Sequence, residues 1–330
     1  MCATQQLLLH ADAETRSVGG GGSVFAPWGP ISAHTRYCAV LGHPIKHSAS
    51  PAMQNAGIEA LGLDWRYLAF DVHPDRLAAA IQGAKALHFI GLNLTVPHKL
   101  LAVDMVEALD GSAAAWGAVN TIRFEAQDGQ GVWRPLSQHE EMPDTPVRAH
   151  GFNTDADAIT RSLHDDLGID LKGKRVLLLG AGGAGRTAGL KLGEQGVGEL
   201  WLVNRSASKA EQLAADIQKR FPTVKLNLGY PSHEVDLLVN ATSLGLKPED
   251  PLPWDKARFD LRQAGAVYDM IYRPAETLLL KAAASAGCRV ANGIGMLLYQ
   301  GAKALEIWSG QPAPVRVMQQ ALKASIYGSF

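Results

Sequence analysis

From Thr35 onward the spacing of apolar positions switches repeatedly between strand-length runs and helical periods. Tyr37–Gly42, Trp65–Val72, Phe89–Val96 and Val119–Glu125 predict strands. Between them, Ser50–Gly62, Asp75–Leu87 and Lys99–Leu109 predict helices, with a shorter helix before Val119. Ser50 followed by Pro51 reads as an N-cap and a first helical residue. Ala126–Ala149 carries Gly, Pro, Gln, Asp and Glu without a period and predicts a long hairpin or surface loop. Thr154–Leu167 predicts a connecting helix. A second set of strands follows near Val176–Leu179, Leu200–Val203, Lys225–Leu228, Asp236–Asn240, Val267–Met270 and Arg289–Ala291. Helices over Gly295–Trp308 and Val315–Ile326 end the chain. Such alternation predicts an α/β fold with parallel or mostly parallel sheets covered by helices, in two domains.

The sharpest local pattern is Val176–Arg205, an apolar run, a glycine-rich turn, a helix and a second apolar run. Gly180, Gly182 and Gly185, with Ala181, Gly183 and Ala184 between them, have the G-x-G-x-x-G spacing of a dinucleotide turn in its required strand–turn–helix setting. There the backbone turns tightly and brings a pyrophosphate onto N–H groups at a helix N-terminus. An NAD site places an acidic residue at the end of the second strand. Here Asn204, Arg205 and Ser206 stand in that place, with Lys209 just beyond. Cations there suit a 2′-phosphate, so the expected cofactor is NADP(H).

Composition narrows the class. The 330 residues are 47% hydrophobic and carry a formal net charge of -1. No basic excess points to a nucleic acid or a membrane surface as partner, and no apolar run approaches the length of a membrane span. Cys2, Cys38 and Cys288 are far apart and lack C-x-x-C spacing, which fits a reducing, cytoplasmic setting without disulfides or a zinc site. His43 and His47 are four apart but flank Pro44 and lack a third ligand, so no metal is expected. Residues 1–34, with their run of glycines, are expected to form a flexible tail.

Polar residues gather at the ends of the apolar runs: Ser48, Ser50, Asn93, Thr95, Asn120, Asn153 and Asp155. Ligands of parallel α/β sheets belong at the C-terminal ends of strands, so these groups suit a small, hydroxyl-rich, anionic molecule. They fall in ordered motifs: G-H-P-I-K-H-S-A-S-P at Gly42–Pro51, N-L-T-V-P-H-K at Asn93–Lys99, G-A-V-N-T at Gly117–Thr121 and N-T-D at Asn153–Asp155. N-R-S at Asn204–Ser206, N-A-T-S at Asn240–Ser243, Y-D-M-I-Y at Tyr268–Tyr272 and N-G-I-G-M-L-L-Y-Q at Asn292–Gln300 follow. This set resembles the shikimate dehydrogenase family over nearly the whole chain from about Tyr37 onward.

The resemblance implies reversible reduction of 3-dehydroshikimate to shikimate by NADPH, in aromatic amino-acid biosynthesis. It implies that Ser48 and Ser50, helped by Tyr272, bind the substrate carboxylate. Asn93, Thr95, Asn120 and Gln300 would bind hydroxyls, and Lys99 and Asp155 would form the catalytic pair. Gly180–Gly185 would hold the pyrophosphate, and Asn204, Arg205, Ser206 and Lys209 the 2′-phosphate. Thr242, Met270 and Gly293 would lie near the nicotinamide. Gln300 then has to reach the substrate, so the C-terminal helices must return to the first domain. The expected limits are 35–154 plus 295–330 for the substrate-binding domain and 155–294 for a Rossmann-type domain.

The chemistry needs these residue types. A carbonyl receiving hydride develops charge on its oxygen, and a positioned ammonium stabilises that charge and supplies a proton. Lys99, expected early in a helix, has that role, with Asp155 fixing its orientation. Three departures from the family pattern stand out: Ala156 where Gly often follows N-T-D, Lys209 where Arg is common, and the 126–149 segment. Lysine is a point charge rather than a planar fork, so Lys209 makes the preference for NADP softer. The 126–149 segment is expected to modify the cleft rim or an oligomer contact. The alternatives are a quinate/shikimate dehydrogenase of relaxed substrate and cofactor choice, an aminoshikimate-pathway enzyme, and a non-catalytic NADP(H)-binding protein. Homodimerisation stays open.

Overall fold

The computed structural model describes residues 31–328, so the expected tail over 1–34 lies outside the described residues up to residue 30. The first half runs β1 (Arg36–Gly42), α1 (Ser50–Ala60), β2 (Trp65–Asp71), α2 (Leu77–Ala86), β3 (Gly91–Leu94), β4 (Ala108–Leu109), α3 (Gly111–Trp116), β5 (Thr121–Gln127), β6 (Trp133–Pro135), β7 (Val147–Phe152) and α4 (Asp155–Leu167). Its sheet has the order β2-β1-β3-β5-β7-β4, with β6 paired to β5. β1 lies parallel to β2 and β3, but β5 runs antiparallel to β3, β6 and β7. This sheet is therefore mixed rather than mostly parallel. β6 and β7 return to β5 without a crossover helix, and each runs opposite to it.

The second half runs β8 (Arg175–Leu179), α5 (Gly183–Glu194), β9 (Glu199–Val203), α6 (Ala207–Arg220), β10 (Lys225–Leu228), β11 (Leu237–Asn240), β12 (Ala266–Asp269), α7 (Leu278–Ser285) and β13 (Arg289–Asn292). All six strands are parallel, in the order β10-β9-β8-β11-β12-β13. That is the doubly wound order of dinucleotide-binding sheets, with its switch point between β8 and β11. Val176–Leu179 and Leu237–Val239 are buried, which explains why these strands read as continuous apolar runs.

α8 (Ile294–Ser309) and α9 (Val315–Tyr327) then return to the first sheet. Leu298, Leu305 and Trp308 of α8 and Met318 and Leu322 of α9 share a core with Met53, Leu92 and Ile122. Their helical spacing builds one apolar face, and burying each large side chain stabilises by about 1.5–3 kcal/mol. Trp308 Nε1 donates to the Ile122 carbonyl at 2.9 Å, which fixes α8 against β5. A Cβ at Gly91 would stand 2.1 Å from that indole nitrogen, so β3 needs glycine there.

Three local expectations are corrected. Lys99–Leu109 is not an α-helix: a turn carries Lys99, a 3₁₀ turn spans Leu101–Met105, and β4 follows. Only Ala102 of the 3₁₀ turn is buried, so no apolar stripe supports a full helix, while the Glu107 N–H donates to the Ala149 carbonyl and draws the chain onto β7. Phe89–Val96 shortens to Gly91–Leu94. The 126–149 segment holds the expected hairpin but ends in β7, inside the sheet. Its Leu136 is buried in the core and its Ser137 hydroxyl donates to the Trp308 carbonyl at 2.6 Å. No helix among the described residues is long and apolar enough to cross a membrane.

Candidate active site

The C-terminal ends of β1 and β3 and the start of α8 enclose a cavity of about 340 Å³. Ser48, Ser50, Asn93, Thr95, Tyr272 and Gln300 all line it. Ser50 is not the N-cap of α1; it is the first helical residue, and the preceding Ala49 makes no side-chain cap. Ser48 supplies the local bond instead, its Oγ accepting the Ser50 N–H at 3.3 Å. A helical backbone at Ser50 aims its hydroxyl away from the capping position, and this leaves it at the cavity wall.

Asn93 sits near the end of β3 with both atoms of its amide hydrogen-bonded. Its Oδ1 accepts from the Tyr67 phenol at 2.8 Å, and its Nδ2 donates to Thr121 Oγ1 at 3.0 Å and to the Asn120 carbonyl at 3.3 Å. Asn120 lies behind this wall. It is 1% exposed, its amide engages Thr154 through Nδ2 to Oγ1 at 2.9 Å and Oδ1 from N–H at 2.9 Å, and it lines no described cavity. Thr154 passes the restraint on, donating to the Gln300 carbonyl at 3.0 Å. Tyr272 is largely enclosed, and burial pushes its phenol above the ordinary value, so it is a proton donor at neutral pH.

Lys99 Nζ donates to Asp155 Oδ2 at 2.7 Å. Lys99 leaves the turn after β3, and Asp155 is the first residue of α4, where the helix dipole favours a carboxylate. The Asp155 side chain is 10% exposed and that of Lys99 32%. The pair also borders a second cavity of about 290 Å³, walled by Val96, Leu100, Trp116, Ala184, Thr187 and Leu190. Lys99, Asp155 and Met296 line both cavities, so the pair stands where the two meet.

The glycine turn lies at the sheet's switch point. Gly180 has φ +105° and packs against the Ala241 carbonyl, and a Cβ at Gly185 would stand 2.1 Å from the Gly180 carbonyl oxygen. These two glycines are required by the fold. A Cβ at Gly182 would meet nothing within 4 Å, and its φ of -77° suits any residue. The open face beside Gly182 and Gly183, at the start of α5, is the cradle a pyrophosphate needs. Asn204 braces it, its Oδ1 accepting the Ala181 N–H at 3.0 Å and its Nδ2 donating to the Ser206 carbonyl at 2.9 Å. Arg205 and Lys209 are exposed at the end of β9 and start of α6, with no ion pair among the described residues. The Ser206 hydroxyl pairs with that of Ser208 at 3.0 Å. These residues fit an NADP-type nucleotide. Met270 and Gly293 line the first cavity on the side of the second sheet, while the Thr242 hydroxyl donates to Asn240 Oδ1 at 2.7 Å within the turn after β11.

Several wall residues were not singled out from the sequence. His47 lines the first cavity and Met296 both, and Trp116, Arg186 and Thr187 line the second, beside Asn153 of the N-T-D motif. His47 directly precedes Ser48, and that adjacency is the sequence signal for its place on the wall. Among the described residues no three His, Cys, Asp or Glu side chains are grouped as a metal requires. His98, beside Lys99, is fully buried, and burial lowers its pKa, so its ring is neutral and packed.

The chain is similar to known proteins over most of its length. A shikimate dehydrogenase substrate-binding domain matches residues 40–122, shikimate / quinate 5-dehydrogenase matches 162–245, and a shikimate 5′-dehydrogenase C-terminal domain matches 293–323. The chain is 37% identical over 299 residues to the shikimate dehydrogenase (NADP(+)) of Methanopyrus kandleri, covering 88% of this chain and 96% of that protein. To the shikimate dehydrogenase (NADP(+)) of Moorella thermoacetica it is 42% identical over 309 residues, covering 91% and 96%. The crystal structure of shikimate 5-dehydrogenase from Thermus thermophilus in complex with NADP(H) and shikimate superimposes with a TM-score of 0.72 at 34% identity, covering 88% of this chain and 99% of that one.

Proposed function

This chain belongs to the shikimate dehydrogenase family of NADP-dependent oxidoreductases, and on that footing we propose that it interconverts 3-dehydroshikimate and shikimate with NADP(H). The observation that carries this reading is the Lys99–Asp155 pair, 2.7 Å apart, where a cavity walled by hydroxyls and amides meets the Rossmann-type half. A binding protein has no need of an ammonium held by a carboxylate at that junction. The substrate end is residues 35–154 with 295–330, and the nucleotide end is 155–294.

In this reading the substrate carboxylate lies against Ser48, Ser50 and Tyr272, and its hydroxyls against Asn93, Thr95 and Gln300. Asn120 acts from behind by holding Thr154. Gly180–Gly185 hold the pyrophosphate, and Arg205, Ser206 and Lys209 the 2′-phosphate, while Met270, Gly293 and Thr242 border the nicotinamide. The bound nucleotide supplies the hydride. Lys99 gives its proton to the substrate oxygen in reduction and takes it back in oxidation, and Asp155 keeps Nζ aimed at that oxygen.

The test is oxidation of shikimate and of quinate, each with NADP⁺ and with NAD⁺, followed by the absorbance of the reduced nicotinamide. Shikimate with NADP⁺ is expected to turn over at roughly 1–10³ s⁻¹. Comparable rates with quinate or NAD⁺ would move the assignment to a relaxed-specificity enzyme. Lys99→Ala is expected to lower kcat about 10²–10⁴-fold with KM nearly unchanged. Unchanged turnover in that variant would remove Lys99 from proton transfer.

A further inference from the structure

Asn153 has no substrate role in the reading above, yet its side chain joins the two segments that carry the catalytic pair. Lys99 lies in a turn and Asp155 opens a helix 56 residues later. Nothing in the local chain geometry of either segment sets the distance between them. A continuous ring of hydrogen bonds does. The Lys99 carbonyl accepts the Val119 N–H at 2.8 Å. The neighbouring Ala118 carbonyl accepts Asn153 Nδ2 at 3.1 Å, and Asn153 Oδ1 accepts the Asp155 N–H at 3.1 Å. Lys99 Nζ to Asp155 Oδ2, at 2.7 Å, closes the ring.

We propose that Asn153 is a positioning residue for the reaction: its amide spans from the Ala118 carbonyl to the Asp155 N–H and so sets the carboxylate against Lys99. The inference rests on the Lys99–Asp155 reading. Asn153 suits the task because one side chain must donate and accept at once, and a carboxamide does so from two fixed atoms. It is itself immobile, being 5% exposed, and its own N–H donates to Ser112 Oγ at 3.0 Å, which ties it to α3. α3 is anchored in turn, since its N-cap Asp110 accepts the Ser112 N–H at 2.9 Å and donates its own N–H to the Gly151 carbonyl of β7 at 2.9 Å. A displaced carboxylate misaims the ammonium, and small misplacements of a catalytic group are costly because orientation is a large part of the rate.

The competing explanation is that Asn153 only caps the start of α4. Asn153→Ser separates the two, because serine caps as well as asparagine but cannot also reach Ala118. If capping were the whole role, the serine variant would keep its kcat. With positioning, kcat falls about 10- to 100-fold while KM for both substrates stays within about twofold, and Tm moves by no more than about 2 °C. In the Lys99→Ala background the same substitution is expected to cost nothing further, since both act through one proton transfer. A second readout needs no turnover. Labelling of Lys99 by acetic anhydride, followed by mass spectrometry, is expected to run about threefold faster in Asn153→Ser, as the amine loses its carboxylate. Wild-type kcat, an undiminished loss in the Lys99→Ala background, or unchanged labelling would each overturn the proposal. Unchanged turnover in Lys99→Ala alone would instead overturn the pair's catalytic role, and the labelling rate would still decide whether Asn153 holds Asp155 to Lys99.

Discussion

The Tyr67 phenol donates to Asn93 Oδ1 at 2.8 Å and is 1% exposed, packed beside Trp308. Burial, above all, raises its pKa well above that of a free phenol, so it remains a donor throughout the working range. With Oδ1 held, Asn93 has both amide hydrogens committed to Thr121 and the Asn120 carbonyl, and one lone pair left for a ligand. Tyr67→Phe removes one oxygen and leaves Asn93 Oδ1 without its donor, at a cost of about 1–3 kcal/mol. We expect KM for the hydroxylated substrate to rise about tenfold and KM for the nucleotide to stay put. Equal shifts in both, or in neither, would show that Tyr67 only fills the core. At this scale the motifs name residues that gather around one cavity, but not which of them touch it. Ser50 lines the cavity as the first helical residue rather than as the N-cap, and Asn120 and Asn153 spend their amides on backbone and on Thr154. The two asparagines are held by hydrogen bonds to residues 34 and 35 positions away, which no local pattern encodes.

At the scale of elements, the glycine-rich turn was the most legible part of the chain because its constraint is local. Gly180 and Gly185 touch carbonyls within the turn or on the adjoining strand end, whereas Gly182 is free of any such demand. Gly182→Val is therefore expected to leave Tm nearly unchanged while weakening NADPH binding about tenfold or more, which is roughly 1.4 kcal/mol. Gly185→Ala drives a methyl into the Gly180 carbonyl and is expected to lower Tm first. Fluorescence titration of NADPH alongside thermal melts separates the two, and normal nucleotide affinity in Gly182→Val would mean that the pyrophosphate does not approach there. β7 and the Lys99–Leu109 segment were illegible for the opposite reason. β7 has polar residues at Arg148 and His150, and these pair with Glu125 of β5 beside them. The 3₁₀ turn and β4 form because β7 is there to pair with. Both depend on a neighbour distant in sequence.

For the molecule as a whole, alternation and the need for Gln300 to reach the cavity were enough to anticipate two α/β halves with the terminal helices returning. The mixed pairing around β5 was not. That pairing buries Glu125, and the consequence is a pH dependence of stability. Burial alone would raise the Glu125 pKa, but His150, Arg123 and Arg148 outweigh it and hold the carboxyl down to about 2, against an ordinary 4.5. A depressed acid stabilises the fold in full above the unfolded-state value and loses that contribution as pH falls through the folded one. The window is therefore from about 4.5 down to about 2, and the contribution at neutral pH is roughly 3 kcal/mol. Glu125→Gln cannot ionise, so its deficit relative to the natural chain should be largest near pH 7 and shrink steadily below pH 4.5. Urea midpoints measured for both proteins across that range test the assignment. A deficit that stayed constant down to pH 2 would mean that Glu125 acts by shape and hydrogen bonding rather than by its charge. Because residues 126–149 border neither cavity while Leu136 and Arg148 join them to the core and to Glu125, the same comparison at neutral pH should show the loss in stability, with KM for substrate and nucleotide unaffected.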